Sequence, residues 1–542
     1  MDNRALIKRF QRVQSRRYTV QQVWERIEEF VMPFRGQFFQ DVSGEDAVPW
    51  RKERTWDSTA VMAHQNLAAS LHGALTSPAI NWFEIRFRQK ELNENREAAD
   101  WLRQASERVF YELQDSNFNL EINEAYQDVA GYGTAFLSEE ERGKDSWEGL
   151  IFSGVPLKEA YFEEDHMGQC SYFYRHYQWE AQKIVTKFGE RVPDDIKKKA
   201  ENASDERIDF VLCIYPRSVE KPQFASILAP EQRPFGYKYV TVNGHETLGE
   251  EGGYYEMPVF VPRWRKTSES QWGNSPATIA IADIQTVNKW VEIMTVWSEK
   301  QTDPPIFAEE RSIISDLDLS AASVNVVRNI AGMREWVSNG NVAITMQGID
   351  QLRRNIRNYF FNDQLNFPDP QNTPMTATEA QIRYELMQRL LGPTLGRLQS
   401  DMLNPIIERT FNMLVRAGQM PDVPQVIVDA NPDMDIEYLG ALARSQRMDQ
   451  AQAVERWAMS LGNLSQVMPG VLDVPDDEAI ARELGMLLNV DPTLMNSKEE
   501  VDMRRQQRAQ QQAMMERQEM IARSGEAAQS VGEGEAALKA VE

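Results

Sequence analysis

Apolar residues recurring at alternating spacings of four and three mark a helix from Ser275 to about Lys300. Ala280, Ile284, Val287, Val291 and Met294 fall on one seam, widened by Trp290 and Trp297. Ser275 offers a capping oxygen, and Pro276 takes the first helical position, where no N–H is needed. Asp303, Pro304 and Pro305 stop the helix, because proline lacks the donor and clashes with the preceding turn. A second helix, Gly348 to about Phe361, carries a stripe of Ile349, Leu352, Ile356 and Tyr359, with Arg353, Arg354 and Arg357 on other faces. A strand-bearing insert lies between the two. The stretch from Asn362 to Pro374 is rich in Pro, Asn and Asp and reads as an exposed loop. Thr376 and Glu379 then form a capping box for a helix through Ile382, Leu386, Leu390, Leu395, Leu398, Met402, Ile406 and Phe411. At about 1.5 Å per residue it spans about 60 Å, with kinks expected at Gly392, Pro393 and Pro405.

Upstream, Thr19 and Gln22 cap a short helix bearing Val20, Val23, Trp24, Ile27, Phe30 and Val31, ended by Pro33. Further helices begin near Asp57, cover Glu94 to Leu113 and span Leu120 to Ala130. From Gly133 to Trp264 the period changes to two, with strand-like runs at Leu150–Val155, Cys170–Trp179, Asp209–Tyr215 and Phe224–Leu228, and a short helix at Ala181–Phe188. Tyr237 to Val242 followed by Asn243-Gly244 predicts a tight hairpin turn with positive φ at that pair. Beyond the long helix come a strand at Gln425–Val428, helices at Tyr438–Leu461 and Asp476–Leu488, and an exposed helix over Lys498–Arg523. The last residues, with Gly525, Gly532 and Gly534, lack a core-forming pattern. The fold class is α+β, mainly helical.

With 542 residues, 42% of them hydrophobic, the chain is long enough for about three or four folded domains. It contains no apolar run of membrane-spanning length, and the basic start, Met1 to Arg17, has no apolar segment of the secretory kind; neither a membrane span nor a secretory signal is expected. Cys170 and Cys213 are too few for a disulfide framework and fit a reducing compartment. A net charge of −23 excludes a protein that wraps nucleic acid in lysines. The exception is Arg4, Lys8, Arg9, Arg12, Arg16 and Arg17, facing only Asp2; they form either a solvated helix face or an arm that meets an acidic partner.

The sequence has no phosphate loop, nucleophile elbow, zinc-protease helix or paired Cys-x-x-Cys, so no catalytic, metal or cofactor residue is assigned. Gly131 and Gly133 stand after a helix, the wrong context for a dinucleotide. His166, Cys170, His176 and Cys213 lack zinc-ligand spacing. His64 and His72 read as packing or surface residues, and Glu163, Glu164 and Asp165 as a solvated turn.

The order and spacing of several short pieces resemble the portal proteins, the head-to-tail connectors of short-tailed bacteriophages. They are Leu75-Thr76-Ser77-Pro78 with Trp82-Phe83, Val155-Pro156, His166-Met167-Gly168, Tyr215-Pro216-Arg217 and Pro262-Arg263-Trp264. They continue with Trp272-Gly273-Asn274-Ser275-Pro276, Asp283 and Asn288, Met375-Thr376-Ala377-Thr378-Glu379, Leu391-Gly392-Pro393 and Arg397-Leu398-Gln399. Trp272 departs from the tyrosine expected there, and the chain after about Ser465 matches least.

The resemblance implies a ring of twelve subunits at one capsid vertex of the virion, assembled in the host bacterial cytoplasm. Double-stranded DNA would pass through its channel without sequence preference. Partners would be the large terminase, tail adaptor and tail proteins, and capsid and scaffolding proteins; the portal itself hydrolyses nothing. By position, residues 1–270 would be wing, 271–300 the first stem helix, 301–347 the clip and 348–361 the second stem helix. Residues 362–374 would be a tunnel loop, 375–437 the long kinked helix and a strand, 438–495 the crown, and 496–542 a C-terminal helix of barrel type with a tail. The tunnel-loop residues would be Asn362, Asp363, Gln364, Leu365, Asn366, Phe367, Pro368, Asp369, Pro370, Gln371 and Asn372; Arg353 and Arg357, one to two turns upstream, either form a weak cationic ring in the channel or pair with neighbouring acids. Ala280, Ile284, Val287, Val291 and Met294 would face a neighbouring stem, since two short helices cannot bury such stripes alone. The same helices also suit a homo-oligomeric structural protein without a DNA channel; a phage nuclease or ATPase would need a phosphate loop or clustered carboxylates.

Overall fold

A single 28-residue helix, α1 (Asn3–Phe30), opens the chain. It starts well before Thr19 because Leu6, Ile7, Phe10 and Val13 extend the buried stripe of Trp24 and Ile27 toward the N-terminus, with the basic residues between them. Three of those bases are used inside the fold. Arg9 and Arg12 pair with Glu163 at 2.6 and 2.9 Å, and buried Arg17 donates to the carbonyls of Leu157, Lys158 and Ala160. The computed structural model describes residues 2–35, 55–78, 81–143, 147–202, 206–218, 228–302, 306–308, 333–335, 342–362, 391–430, 434–438, 441–465 and short pieces between 468 and 514.

Next come α2 (Thr59–Leu75), β1 (Phe83–Phe87), α3 (Lys90–Glu94), α4 (Arg96–Asp115) and α5 (Phe118–Tyr132). The β-rich part has β2 (Leu137–Glu141), β3 (Leu150–Gly154), β4 (Ala160–Glu164), β5 (Cys170–Glu180), α6 (Ala181–Phe188), α7 (Asp194–Glu201) and β6 (Arg207–Pro216). It continues with β7 (Phe235–Thr241), β8 (Thr247–Tyr254), β9 (Val259–Phe260), β10 (Lys266–Thr267) and β11 (Ser270–Gly273). Then follow α8 (Pro276–Thr302), β12 (Ile306–Ala308), β13 (Met333–Glu335) and α9 (Val342–Tyr359). Residues 391–398 are helical and run into a π turn, Gln399–Leu403, then α10 (Asn404–Arg416), α11 (Gln425–Ala430), β14 (Met434–Tyr438) and α12 (Ala441–Ser465). The fold is α+β and mainly helical.

Strands β4 to β8 form one antiparallel sheet in chain order, and β3-β2-β9 form a second. The N-terminal half of α1 covers the first sheet through Tyr161, Tyr174, Val211, Tyr215 and Val240, while a larger core joins the helices to the other strands. β1 pairs antiparallel with β14, so Phe83–Phe87 meets Met434–Tyr438 across the chain. Residues 1–442 form one compact unit and 443–542 another.

Two expectations change here, and a third lies outside the described residues. The β7–β8 connection is a wider turn, Val242–Glu246, with positive φ at His245 and not at Asn243-Gly244. Thr241 closes it, its hydroxyl accepting from the Glu246 N–H at 2.9 Å and its carbonyl from the His245 N–H at 3.1 Å. Gln425–Val428 is helical: Pro424 precedes the helix and its carbonyl accepts from the Ile427 N–H. The strand of that region is β14 instead. Phe224–Leu228 lies almost wholly outside the described residues.

The pair Gly131 and Gly133 has a backbone role. Gly133 has φ +86°, and a Cβ on it would sit 2.3 Å from the carbonyl oxygen of Gly273. Its own carbonyl accepts from the Trp264 N–H at 2.9 Å, and the Gly131 carbonyl accepts from the Ser275 hydroxyl at 2.5 Å.

Glu139 on β2 is fully buried. The Thr410 hydroxyl donates to its Oε1 at 2.7 Å, while Arg409 stands 3.8 Å from Oε2 and also serves Glu256. Burial outweighs the nearby Arg409 and pushes the Glu139 carboxyl up to about 7. The folded state therefore binds a proton that the unfolded chain has lost, so this contribution to stability is complete below about pH 4.5 and disappears as pH rises through about 7. Glu139→Gln should flatten the fall in the urea midpoint over that window; a slope equal to that of the parent protein would contradict the assignment.

Candidate functional site

The helical hairpin α8–α9 and the segment after it concentrate the expected functional residues. Ser275 starts α8 as a side-chain cap, its Oγ accepting from the Thr278 N–H at 3.0 Å. The seam expected to face a neighbouring subunit faces the chain's own core. Ala280, Ile284 and Val287 are buried, and Val291 and Met294 are half-buried against that core, where α1, α2, α5 and α9 pack on α8. A periodic stripe specifies that a face is covered but not by which helix, so Ala280, Ile284 and Val287 are intrachain packing residues, while Val291 and Met294 keep part of their surface.

α8 leaves a different stripe outside. Ile279, Trp290, Ile293 and Val296 are exposed by 56, 37, 53 and 39%, and on α9 Ile344 and Met346 are exposed by 66 and 57%. The two helices meet closely at Gly348, where an added Cβ would lie 2.5 Å from the Trp290 ring. Gly348 is therefore a notch inside α9, which starts six residues earlier, at Val342. Within the insert joining the helices, β12 pairs antiparallel with β13, Ile306 opposite Glu335 and Ala308 opposite Met333.

Arg353 is not a free cation. Its guanidinium holds buried Asp57 at 2.7 Å, and the other oxygen of Asp57 accepts from the Thr59 N–H at the start of α2. On α8, Asn288 Oδ1 accepts from the N–H groups of Trp56 and Asp57 at 2.7 and 3.0 Å. One cluster thus ties α2, α8 and α9 together. Arg357 is exposed and makes no ion pair among the described residues. Asn362 is 6% exposed, not a loop residue in solvent; its Oδ1 accepts from the Asn66 amide at 3.2 Å, just after Phe361 turns the chain at φ +57°. Asp363, Gln364, Leu365, Asn366, Phe367, Pro368, Asp369, Pro370, Gln371 and Asn372 lie outside the described residues, as does the helix start at Thr376.

A second buried cluster anchors the segment leading away from the hairpin. Arg263 donates to Asp401 Oδ2 at 3.0 Å and to the Gly168 carbonyl at 3.0 Å, and pairs with Glu164, which Lys266 also reaches at 2.6 Å. Asp401 lies in the π turn directly ahead of Pro405, where the widened turn accommodates a ring that would clash with a regular one. Burial raises the Asp401 carboxyl while Arg263 opposes the shift. The pieces His166-Met167-Gly168, Pro262-Arg263-Trp264 and the stretch after Arg397 converge here. Sequence reading marked Pro405 as a kink but gave no partner for Asp401.

The ionisable side chains elsewhere serve packing. His64 donates to the Gln127 carbonyl at 2.8 Å, and burial lowers its pKa to about 4, so it is neutral. His176 meets Asp209 at 3.1 Å, and burial pushes the Cys213 thiol up to about 12. Among the described residues no group of three or more His, Cys, Asp and Glu is arranged to hold a metal, and no helix is long and apolar enough to cross a membrane.

Residues 3–495 match the sequence model of a family described as bacteriophage head to tail connecting protein. The chain is 24% identical over 542 residues to a probable portal protein of Bordetella phage BPP-1, covering 98% of this chain and 95% of that relative. It is 24% identical over 516 residues to the portal protein of Salmonella phage epsilon15, covering 93% and 91%. The match runs through the hairpin, both buried clusters and the segment after them, and the chain belongs to the phage head-to-tail connecting, or portal, protein family.

Proposed function

We propose that copies of this chain close into a ring of twelve at one capsid vertex, with a channel through which double-stranded DNA is packaged and ejected. The observation that carries this reading is the apolar stripe on α8, Ile279, Trp290, Ile293 and Val296, which the chain's own core leaves uncovered. Burying one such side chain contributes about 1.5–3 kcal/mol, so four of them repeated at every subunit contact favour association. Because the stripe lies on one flank of the hairpin, it meets a different surface of the next copy, the head-to-tail contact that generates rings. A charge of −23 per copy gives a wall that repels phosphate on average and lets DNA slide.

The insert that joins α8 to α9 is the docking site for the large terminase and then the tail adaptor. The segment 363–374, outside the described residues and directly after the fixed Asn362, is assigned as the tunnel loop, with Arg357 on α9 as the candidate channel cation. The subunit contributes no hydrolysis; the motor supplies it. Capsid, scaffolding and tail proteins complete the assembly, which forms in the bacterial cytoplasm before the virion is released.

Ile293→Asp should leave the subunit folded and abolish the ring, because it sets a charge in the contact while it remains solvated in the monomer. Ile284→Asp should instead lower the melting temperature sharply, since Ile284 is buried in the subunit. Native mass spectrometry and thermal melts separate the two; intact rings from Ile293→Asp would remove the stripe from the interface.

Replacing residues 309–332 with a short linker between β12 and β13 should preserve the ring and abolish terminase capture in a pull-down. Undiminished capture would move the docking site elsewhere.

A further inference from the structure

We propose that, in the ring, the basic ridge of α1 in one copy seats in an acidic, aromatic groove beside α4 of the next. This rests on the ring reading and extends it to the wing-side helices. Arg4, Lys8, Arg12 and Arg16 stand exposed one turn apart along α1, a ridge of about 18 Å at about 1.5 Å per residue. Arg12 reaches Glu163, whereas Arg4, Lys8 and Arg16 have no ion pair among the described residues. Asp2 at the N-cap of α1 meets the positive end of its dipole, and beyond it the ridge carries no acid.

The groove is built from opposite chemistry. Two adjoining cavities of about 660 and 400 Å³ share Arg108 and Tyr111 and follow α4 from Gln104 to Asp115, about 16 Å of helix. Tyr111 is 64% exposed, and Trp147 forms a wall, its indole N–H donating to Glu112 at 3.2 Å. Arg108 is already held by Glu112 at 2.9 Å, and Asp115 and Glu148 have no ion pair among the described residues. The last turn of α4 has no basic residue, so the negative end of its dipole coincides with Asp115. An acid there is unfavourable for an isolated helix and favourable beside an incoming cation. Guanidinium and ammonium groups can also lie over the faces of Tyr111 and Trp147.

The two surfaces belong to different parts of one subunit. α1 lies over the sheet of β4 to β8, and α4 lies against β1 and α10, with α5 in contact with both helices. Two different complementary surfaces on separate flanks are what a head-to-tail contact needs. A nucleic acid is the competing occupant of the ridge, but it leaves the matching groove without a purpose.

The test mixes unlabelled and 15N-labelled full-length chains, assembles rings and treats them with a carbodiimide that joins an amine to a carboxylate in contact. The expected product is a cross-link of Lys8 to Asp115 or Glu148 between a light and a heavy peptide. In parallel, Lys8→Glu with Arg16→Glu should make rings dissociate at lower salt, and Asp115→Lys with Glu148→Lys in the same chain should restore their salt resistance. Rings visible by negative stain that lack the cross-link and keep their salt resistance after charge reversal overturn the inference and leave the portal reading standing. Wild-type protein that forms no ring takes down both. Salt-sensitive DNA binding that depends on Lys8 and Arg16, without the cross-link, assigns the ridge to nucleic acid and also overturns it.

Discussion

The position of the hairpin depends on one close approach of backbone to backbone. Gly133 and Gly273 pack so tightly that a Cβ on either would fall 2.0–2.3 Å from a carbonyl oxygen of the other. The Thr134 hydroxyl accepts from the Gly273 N–H at 2.9 Å, and Ser275, two residues on, both caps α8 and bonds Gly131. Trp24 completes the junction, its indole N–H donating to the Tyr132 carbonyl at 2.9 Å and its ring meeting Trp272 edge to face at 5.0 Å. The end of α5, the C-terminal part of α1 and the first turn of α8 are thus fixed at one point, and α8 is aimed from there. Any side chain larger than hydrogen would separate these elements.

From that origin α8 is held along its length by contacts of two kinds. Ala280, Ile284 and Val287 fill the core, and Asn288 with Asp57 and Arg353 fixes the hairpin by directed polar bonds. Buried charge recurs where the chain leaves the hairpin, at Arg263 with Asp401 and Glu164 and at Arg409 and Arg416 with Glu256. Such groups gain little over apolar packing, but removing one partner leaves a charge stranded at about 3–5 kcal/mol, so they specify one arrangement of helices and strands. A hairpin held this rigidly can present an apolar stripe to a neighbour without collapsing onto it.

Local signals in the sequence were legible. The Ser275-Pro276 start, the helix Ala181–Phe188 and the strand expected at Cys170–Trp179 all reappear with boundaries close to those expected, because each is fixed within a few residues of itself. Partner choice was not legible. Asp57 and Arg353 are separated by 296 positions, and Arg263 and Asp401 by 138, and nothing in periodicity links them. The same limit applies to the seam of α8: its periodicity marks Ala280, Ile284 and Val287 as a buried face, but not that the chain's own helices cover them. β1 was missed because a five-residue strand whose partner lies at Met434–Tyr438 leaves only a brief alternation, Phe83, Ile85 and Phe87. The resemblance came from the order of short pieces, and in the structure several of them meet at the glycine crossing and around Arg263.

The central claim is a closed ring of this subunit around an open channel. Electron cryo-microscopy of the purified full-length protein, with particles averaged down their symmetry axis, tests it most directly. The account predicts a closed ring with a central opening wide enough for a DNA duplex and α8–α9 hairpins packed side by side around it. Monomers, open filaments or a closed assembly without a passage would contradict it.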